Sequence, residues 1–574
     1  MDKVKENSNR WLSSPRVSEE DKARIRSMSQ EELDDAFFKD VELGTAGMRG
    51  VLGPGTNRMN EHTVGRVSVA FGQYLLSLGE DTKTRGIVLS HDNRFKSREF
   101  ALLAAKIFNQ MGIKAFIFPS LRPVPELSFA VRYCKAKGGV MITASHNPKQ
   151  YNGYKIYDET GCQLVPNQAN EMLRFADKLP NELEFEVPVA VQQGETIVLG
   201  EEVDDAYCKL VESCRVNPDL DKSNFKVVYT PQHGASYENA MRVFQDSGYT
   251  IIPVKEQCVH DPAFGATASP NPEVAKAWDL ALEYCHKNHA DLAVMTDPDG
   301  DRCGLAFLSS KGTYERFTGN QSAPLLLDYL LSSYQKQGRL PANGVLYDTI
   351  VTTSLGRVIA KAYGVSSQSF LTGFKFIGHA IHQEEEKPNG KKFLFGYEES
   401  YGCLVQPFVR DKDGIQAILL YTEMALYYHN QGTPLDVAFD NLQKKYGYHV
   451  TETKDVYFEG MEGADKMKTL MNRLHQNLYW EIASIPVVKI GDYLHGKTIE
   501  KDGKEEQLVG FPSSDVLKYF LEDGSTLCIR PSGTEPKMKF YIEAVGPSSD
   551  GLKDKIEAIN AFVRQDAGYK EKIC

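Results

Sequence analysis

Residues 86–118 read GIVLSHDNRFKSREFALLAAKIFNQMGIKAFIF, and their hydrophobic pattern changes period twice. GIVLS at 86–90 is a continuous apolar run of strand length, REFALLAAKIFNQ at 98–110 repeats apolar residues at helical spacing, and IKAFIF at 113–118 returns to a strand. Strand, helix and strand make a βαβ unit, which implies a mainly parallel sheet covered by helices. The same order recurs with a strand at 227–230, a helix at 237–246 and a strand at 250–254, and again with a strand at 344–347 and a helix at 354–363. At about 150 residues per domain, 574 residues suggest roughly four domains. An acidic, Gln- and Gly-containing stretch at 180–205 reads as a domain connection, and another boundary falls near Gly319. Past Tyr428, NQGTPLD resets the chain into a short helix and a strand at 448–458. The expectation is three α/β domains followed by an α+β region, without a solenoid-type repeat.

The 66 basic and 77 acidic side chains leave a net charge of -11. Such a chain lacks the extended positive field that nucleic acid or an anionic membrane attracts, although a local basic pocket is compatible with it. No run of about 18 apolar residues offers a membrane span, and MDKVKENSNRWLSS at the start is too polar for a secretory signal. The most apolar helical stretch, 415–428, is interrupted by Thr422 and Glu423. The ten cysteines include no C-x-x-C pair, so zinc ribbons and redox motifs lack support and reduced thiols in a cytoplasmic protein are expected.

Four loops carry chemistry. TASHNP at 143–148 follows the apolar strand 139–142, so its residues emerge where ligands of open α/β sheets bind. Ser145 is a candidate nucleophile there, or else a serine in the turn that Asn147-Pro148 initiates. His146 is a poor base for it, because adjacent side chains in an extended segment point apart. DPDGDR at 297–302 follows the strand 292–295. Its alternating Asp297, Asp299 and Asp301 either form a solvated acidic turn or, since they repel one another unless a cation sits between them, an oxygen-only donor set that suits Mg²⁺. GYEESYG at 396–402 brackets a carboxylate and a hydroxyl, Glu398 and Ser400, with glycines, a donor and acceptor set for vicinal sugar hydroxyls or simply an exposed turn. RPSGTEPK at 530–537, between strands at 525–529 and 538–544, is either a phosphate cradle or a tight interstrand turn. GTAGMRG at 44–50 lacks dinucleotide-loop spacing, and His379 and His382 fit a charged helix face better than a zinc site.

Together these loops, in this order, resemble the α-D-phosphohexomutase superfamily and within it the phosphoglucomutase/phosphomannomutase enzymes of the longer bacterial type. GTAGMRG at 44–50, TGNQ at 318–321 and TGFKFIG at 372–378 extend the resemblance over nearly the whole chain. It implies a four-domain, heart-shaped α/β enzyme with mixed sheets and a C-terminal α+β domain of TBP-like fold, each domain giving one loop to a central cleft. The corresponding boundaries are 1–205 for the phosphoserine loop, 206–320 for the metal loop, 321–450 for the sugar loop and 451–574 for the phosphate loop. Leu43 stands where phenylalanine is common in the family, and SHDNR at 90–94 follows the family's loop only loosely, which leaves the role of Arg94 open but not the family.

The resemblance further implies that Ser145 carries a phosphoryl group, that Ser145, Asp297, Asp299 and Asp301 surround one Mg²⁺ per subunit, and that Glu398 and Ser400 hold sugar hydroxyls. Arg530, Ser532, Gly533 and Thr534, with Lys537, would grip the phosphate that is not transferred. Arg49, Lys155, Arg302 and Lys375 match cationic positions near the transfer site or the sugar. The implied reaction is interconversion of glucose 1-phosphate and glucose 6-phosphate through glucose 1,6-bisphosphate, which also serves as activator. Phosphomannomutase, phosphopentomutase or bisphosphate synthase activity are the alternatives on this scaffold, and a non-catalytic phosphosugar-binding protein is a remoter one. The EES form of the sugar loop resembles glucose-preferring members. As general base, Lys155 is expected because a desolvated lysine among cations can lose its proton near neutrality, with His146 second. The expected partners are small phosphosugars, not nucleic acid or membranes, and the sequence carries no signal of oligomeric state.

Overall fold

In the computed structural model, which describes residues 2–44, 47–458, 463–532 and 537–567, the apolar run at 86–90 becomes the wholly buried strand Ile87–His91. It lies parallel to Gly138–Ile142 on one side and to Ala115–Ile117 on the other. The helix Ser97–Gln110 buries Phe100, Ala101, Ala104, Ala105 and Phe108, the one-faced spacing that the sequence displays. Beyond Gly138–Ile142 the sheet turns antiparallel through Tyr151–Asp158 and Gly47–Val51.

The chain forms two compact units, Met1–Asp348 with Gly373–Leu435, and Thr349–Thr372 with Asp436–Cys574. The first unit holds the sheet just described and a second one, in which Leu292–Thr296 runs parallel to Val227–Thr230 and antiparallel to Cys303–Leu308. A third sheet contributes Lys392–Glu398, parallel to Gly344–Thr349 and antiparallel to Gly402–Leu404. In all three, a parallel strand runs directly into one of the polar loops, and its antiparallel neighbour receives the chain on the far side. The apolar helix at 415–428 is Gly414–His429, capped by Asp413, whose side chain accepts from the Ile415 and Gln416 amides. Among the described residues no helix is long and apolar enough to cross a membrane.

The connecting stretch 180–205 also contains a strand that the sequence does not show: Thr196–Val198 adds to the edge of the first sheet beside Ala115–Ile117, and Phe185 and Val187 pack on that domain's core. A three-residue edge strand with alternating exposure has no apolar run to betray it.

The second unit holds the expected α+β region and with it Thr349–Thr372, which the expected division gives to the third domain. Its sheet runs in the order Tyr448–Tyr457, Lys537–Gly546, Thr526–Pro531, Leu517–Leu521, Ile485–Asp492 and Lys497–Glu500, all antiparallel. Met471, Leu474, Ile556 and Ile559 of two helices close its core over Leu527, Phe540 and Ile542. Inside it Glu543 is buried, its Oε1 accepting from Thr353 Oγ1 at 2.6 Å and the Ser354 amide at 2.8 Å, with His449 Nδ1 at 3.1 Å. Burial pushes this carboxyl up, but His449 and Thr353 outweigh it and hold the group at about 2 instead of its ordinary 4.5.

A depressed carboxyl stabilises the fold above the unfolded value and loses that contribution as pH falls through the folded one. Glu543→Gln is therefore expected to destabilise this unit by on the order of 3 kcal/mol at neutral pH. In urea unfolding the gap to wild type should narrow between pH 4.5 and 2, and a gap independent of pH would contradict the assignment.

Candidate active site

Two adjacent parallel strands, Ile87–His91 and Gly138–Ile142, end side by side, and the segments that leave them build the seat of Ser145. Ser145 has a φ of 52°, in the left-handed region. Its amide donates to Thr143 Oγ1 at 2.8 Å, and Thr143 Oγ1 lies 2.7 Å from Asp92 Oδ2 and 3.1 Å from Asp299 Oδ2. Asp92 also accepts from the Arg94 amide at 2.9 Å and the Ser97 hydroxyl at 2.7 Å. The buried Arg94 guanidinium donates to the carbonyl oxygens of Ser145 and Asn147, and to those of Pro148 at 2.9 Å and Tyr151 at 3.1 Å. Its Nε is 3.1 Å from Asp92, and the Phe264 ring covers it at 5.1 Å. A planar five-donor fork thus ties the whole 145–151 loop down from beneath.

This turn places the Ser145 hydroxyl 2.6 Å from Asp297 Oδ2, to which it donates, and 3.4 Å from His146 Nδ1. Neighbouring side chains diverge only where the backbone is extended. The left-handed residue bends the loop, so Ser145 and His146 meet on one side. Burial, and then the nearby Arg302 and Arg49 charges, push the His146 imidazole well below its usual range, so it is neutral near pH 7.

The 297–302 loop closes the hairpin between Leu292–Thr296 and Cys303–Leu308, whose last pair is Thr296 and Cys303. Gly300 turns it with a φ of 72°, at a point where a Cβ would come within 2.2 Å of Ser236 Oγ. All three aspartates are buried, and their ligand atoms lie within 4.8 Å of one another. Asp299 Oδ1 and Asp301 Oδ1 are buried and have no hydrogen-bond partner among the described residues. Orphaned, mutually repelling carboxylate oxygens on a tight turn fit a hard divalent cation such as Mg²⁺.

The electrostatics follow from this crowding. Burial, and then the charges of Asp299 and Asp301, raise Asp297 well above the carboxylate range. Asp301 is also pushed up by burial, but Lys155 and Lys412 outweigh that and hold it below the usual range. Lys155 Nζ lies 2.8 Å from Asp299 Oδ2 and 3.2 Å from Asp301 Oδ2. Its nearest partners are therefore carboxylates, not the expected cations; burial lowers its pKa, but the two aspartates raise it further and keep the amine charged. Lys412 Nζ stands 3.5 Å from Asp301, 3.2 Å from Asp411 and 3.9 Å from Glu398, bridging the aspartate loop to the 396–402 loop.

Glu398 ends the strand Lys392–Glu398, and its Oε1 accepts from the Gly373 amide at 2.8 Å. Lys375 opens the next helix, Lys375–Glu385, and Ser400 sits half-buried in the turn before Gly402–Leu404. Arg49 donates to Asn147 Oδ1 at 3.0 Å, and Arg302 donates to Glu273 at 2.9 Å. Thus Ser145, His146, Lys155, Arg49 and the three aspartates share one constellation, joined to Glu398 through Lys412. Arg530, Ser532 and Lys537 belong to the second unit. There the Ser532 amide donates to the Lys537 carbonyl at 2.7 Å, and Lys537 Nζ lies 3.1 Å from Asp455; Gly533 and Thr534 lie outside the described residues.

Sequence reasoning passed over Asp92, Arg94, Thr143 and Lys412. The first two had a signal, an acid and an arginine two residues apart at a strand end. Lys412 had a weaker one, the alternating charges of RDKDG at 410–414 before an apolar helix.

Profiles of the phosphoglucomutase/phosphomannomutase family match in four consecutive pieces: alpha/beta/alpha domain I at residues 40–182, domain II at 205–309, domain III at 318–446 and the C-terminal domain at 492–559. The chain is 34% identical over 533 residues to a phosphoglucomutase of Staphylococcus epidermidis, covering 92% of this chain and 95% of that one. It is 35% identical over 512 residues to that of Staphylococcus haemolyticus, covering 89% and 91%. In fold it is similar to the open form of parafusin, a phosphoglucomutase of Paramecium, with a TM-score of 0.66 at 18% identity over 93% of this chain and 96% of that one. A phosphoglucomutase/phosphomannomutase family protein of Burkholderia thailandensis gives 0.65 at 17% identity over 92% and 99%.

Arg94→Lys exchanges a planar fork for a point charge that cannot serve four carbonyl oxygens at once. Leaving buried acceptors unpaired is expected to lower unfolding stability by roughly 1–3 kcal/mol. A chemical-denaturation midpoint equal to wild type would remove Arg94 as the anchor of the loop.

Proposed function

The chain belongs to the phosphoglucomutase/phosphomannomutase family of isomerases, and we propose that it interconverts α-D-glucose 1-phosphate and glucose 6-phosphate through phosphorylated Ser145 and a glucose 1,6-bisphosphate intermediate. The observation that carries this reading is the Ser145 hydroxyl, 2.6 Å from Asp297 within a trio of buried carboxylates, on a loop whose backbone is clamped by Arg94. Glucose is preferred over mannose because the Staphylococcus relatives bear the name phosphoglucomutase and because of the Glu398-Glu399-Ser400 form of the sugar loop.

Phosphoryl transfer depends chiefly on positioning and charge stabilisation. Asp297, Asp299 and Asp301 would hold one Mg²⁺, which when bound supplies charge neutralisation for the transferring phosphoryl oxygens. Phosphoserine 145 would lose its phosphoryl group to the free hydroxyl of the hexose monophosphate, so the Oγ–P bond breaks as the new O–P bond to the sugar forms. After the bisphosphate turns end for end, Ser145 Oγ would take the other phosphoryl group and release the isomeric monophosphate. Arg49 and Arg302 would face the transferring group, and Glu398, Ser400 and Lys375 would orient the sugar. Arg530, Ser532, Gly533, Thr534 and Lys537 would bind the distal phosphate.

For the proton of the attacking hydroxyl we favour Lys155 Nζ, with His146 as the second group. In the ion-free arrangement Asp299 and Asp301 keep Lys155 charged; carboxylates that share their charge with a cation hold the lysine's proton less firmly, which moves it toward the base form. The four-domain division at 1–205, 206–320, 321–450 and 451–574 and a cytoplasmic location belong to the same reading, the latter supported by nine described cysteines that are all free.

Ser145→Ala is expected to abolish interconversion of the two glucose phosphates while leaving the fold intact, and intact-mass measurement should find one phosphoryl group on wild type that substrate removes. Near-normal turnover in the variant would sink the mechanism. Arg530→Ala should raise KM for the hexose phosphate at least tenfold without changing Mg²⁺ affinity, so a loss of Mg²⁺ with unchanged KM would contradict the phosphate-cradle assignment.

A further inference from the structure

In the second unit, apart from the loops of the proposed reaction, His475, Asp492 and His495 bring their ligand atoms within 4.8 Å of one another. They come from three places in the chain. His475 lies in the last turn of the helix Gly463–Gln476, Asp492 ends the strand Ile485–Asp492, and His495 sits in the turn before Lys497–Glu500. The Asp492 carboxylate stands between the two rings, with Oδ1 3.1 Å from His475 Nδ1 and Oδ2 2.6 Å from His495 Nδ1. The rings meet edge to face, 5.5 Å apart. The His475 and Asp492 side chains are only 4% and 3% exposed, whereas His495 is 54% exposed. The group is closed on its inner side and open to solvent on the other.

The far nitrogen of His475 orders the near one. Nε2 lies 2.8 Å from Asp515 Oδ1, which fixes the ring so that Nδ1 faces Asp492. Nδ1 is buried and makes no hydrogen bond among the described residues, despite its 3.1 Å approach to the carboxylate. A metal ion between Nδ1 and the carboxylate would take the place of the proton that a ring flanked by two carboxylates otherwise carries. A carboxylate behind an imidazole whose other nitrogen faces an anionic ligand is the arrangement that orients metal-bound histidines. Two imidazoles and one carboxylate with an open side form a mixed nitrogen and oxygen set. Such a set suits zinc-type ions and not the hard cation that three aspartates suit.

We propose that His475, Asp492 and His495 form a second metal site, for a divalent transition ion of the zinc type, with Asp515 orienting His475 and solvent completing the coordination. Ligand bonds of about 2.0–2.2 Å require only that the exposed His495 ring and the carboxylate adjust around the ion. The ion would pin the end of the helix Gly463–Gln476 to the end of the strand Ile485–Asp492, which gives it a structural role in the second unit.

The test uses the full-length chain, stripped with chelator and returned to excess Mg²⁺. Zn²⁺ titrated calorimetrically should bind there, and Co²⁺ in its place should give the visible ligand-field absorption of a nitrogen-ligated ion, which an all-oxygen aspartate site does not give. His495→Ala, at an exposed position, should weaken that Zn²⁺ event at least 100-fold and abolish the Co²⁺ band, and Asp515→Asn should weaken it about tenfold. Any Zn²⁺ taken up by the aspartate loop would be unaffected by His495→Ala. If the wild type shows no such event, or if His495→Ala leaves Zn²⁺ affinity and the Co²⁺ spectrum unchanged, the three residues are an ion-paired imidazole cluster and the site does not exist.

Discussion

Three aspartate carboxylates, buried and within 4.8 Å of one another, are the constraint around which the first unit is arranged. At an effective dielectric of about 20, two like charges 4 Å apart repel by about 4 kcal/mol, so the loop 297–302 cannot be buried with all three ionised unless positive charge is brought to it. Arg302 supplies part of that charge from within the loop, and the rest comes from outside it. Lys155 reaches Asp299 and Asp301 from the middle of Tyr151–Asp158, in the first sheet, and Lys412 reaches Asp301 from the segment that leads into Gly414–His429. Asp413 then caps that helix, so one short run, RDKDG, both neutralises the aspartate loop and starts the most buried helix of the unit. Asp299 Oδ1 and Asp301 Oδ1 have no hydrogen-bond partner among the described residues and so retain capacity for a cation.

The second organising element is the seat of Ser145. A non-glycine residue in the left-handed region costs on the order of 1 kcal/mol, and the surroundings over-determine it here. Thr143 holds its amide, Arg94 holds its carbonyl, and Asp92 holds both Thr143 and Arg94. The strain serves position. The bend carries the hydroxyl to Asp297 and brings the neutral imidazole of His146 alongside, a geometry an extended loop cannot reach. Preorganisation of this kind matters for phosphoryl transfer, where the protein contributes chiefly alignment and electrostatics.

Much of the fold was legible because it depends on periodicity. The run at 86–118 announces a strand, a helix and a strand, and the structure holds Ile87–His91, Ser97–Gln110 and Ala115–Ile117 there. The polar loops were legible for a related reason: each directly follows an apolar strand, so its position at a sheet edge is implied by the run before it. Thr196–Val198 was missed because a short edge strand that is half exposed shows no hydrophobic pattern. The environment of Lys155 was also misjudged, since its neighbours are set by which strands pair and not by nearby sequence.

The sequence by itself therefore determined the order of strands and helices, the four loops at their ends and the residue types that suit a nucleophile, a divalent cation, a sugar and a phosphate. Only the tertiary structure decided that Arg94 clamps the Ser145 loop, that Lys155 faces carboxylates, that Lys412 joins two loops, and that His475, Asp492 and His495 meet. The division has a physical cause. Local pattern governs burial and backbone conformation, which are properties of neighbouring residues. The charge, protonation and ligand capacity of a buried group depend on partners that may lie 150 residues away, as Lys155 and Asp299 do at 2.8 Å across 144 positions.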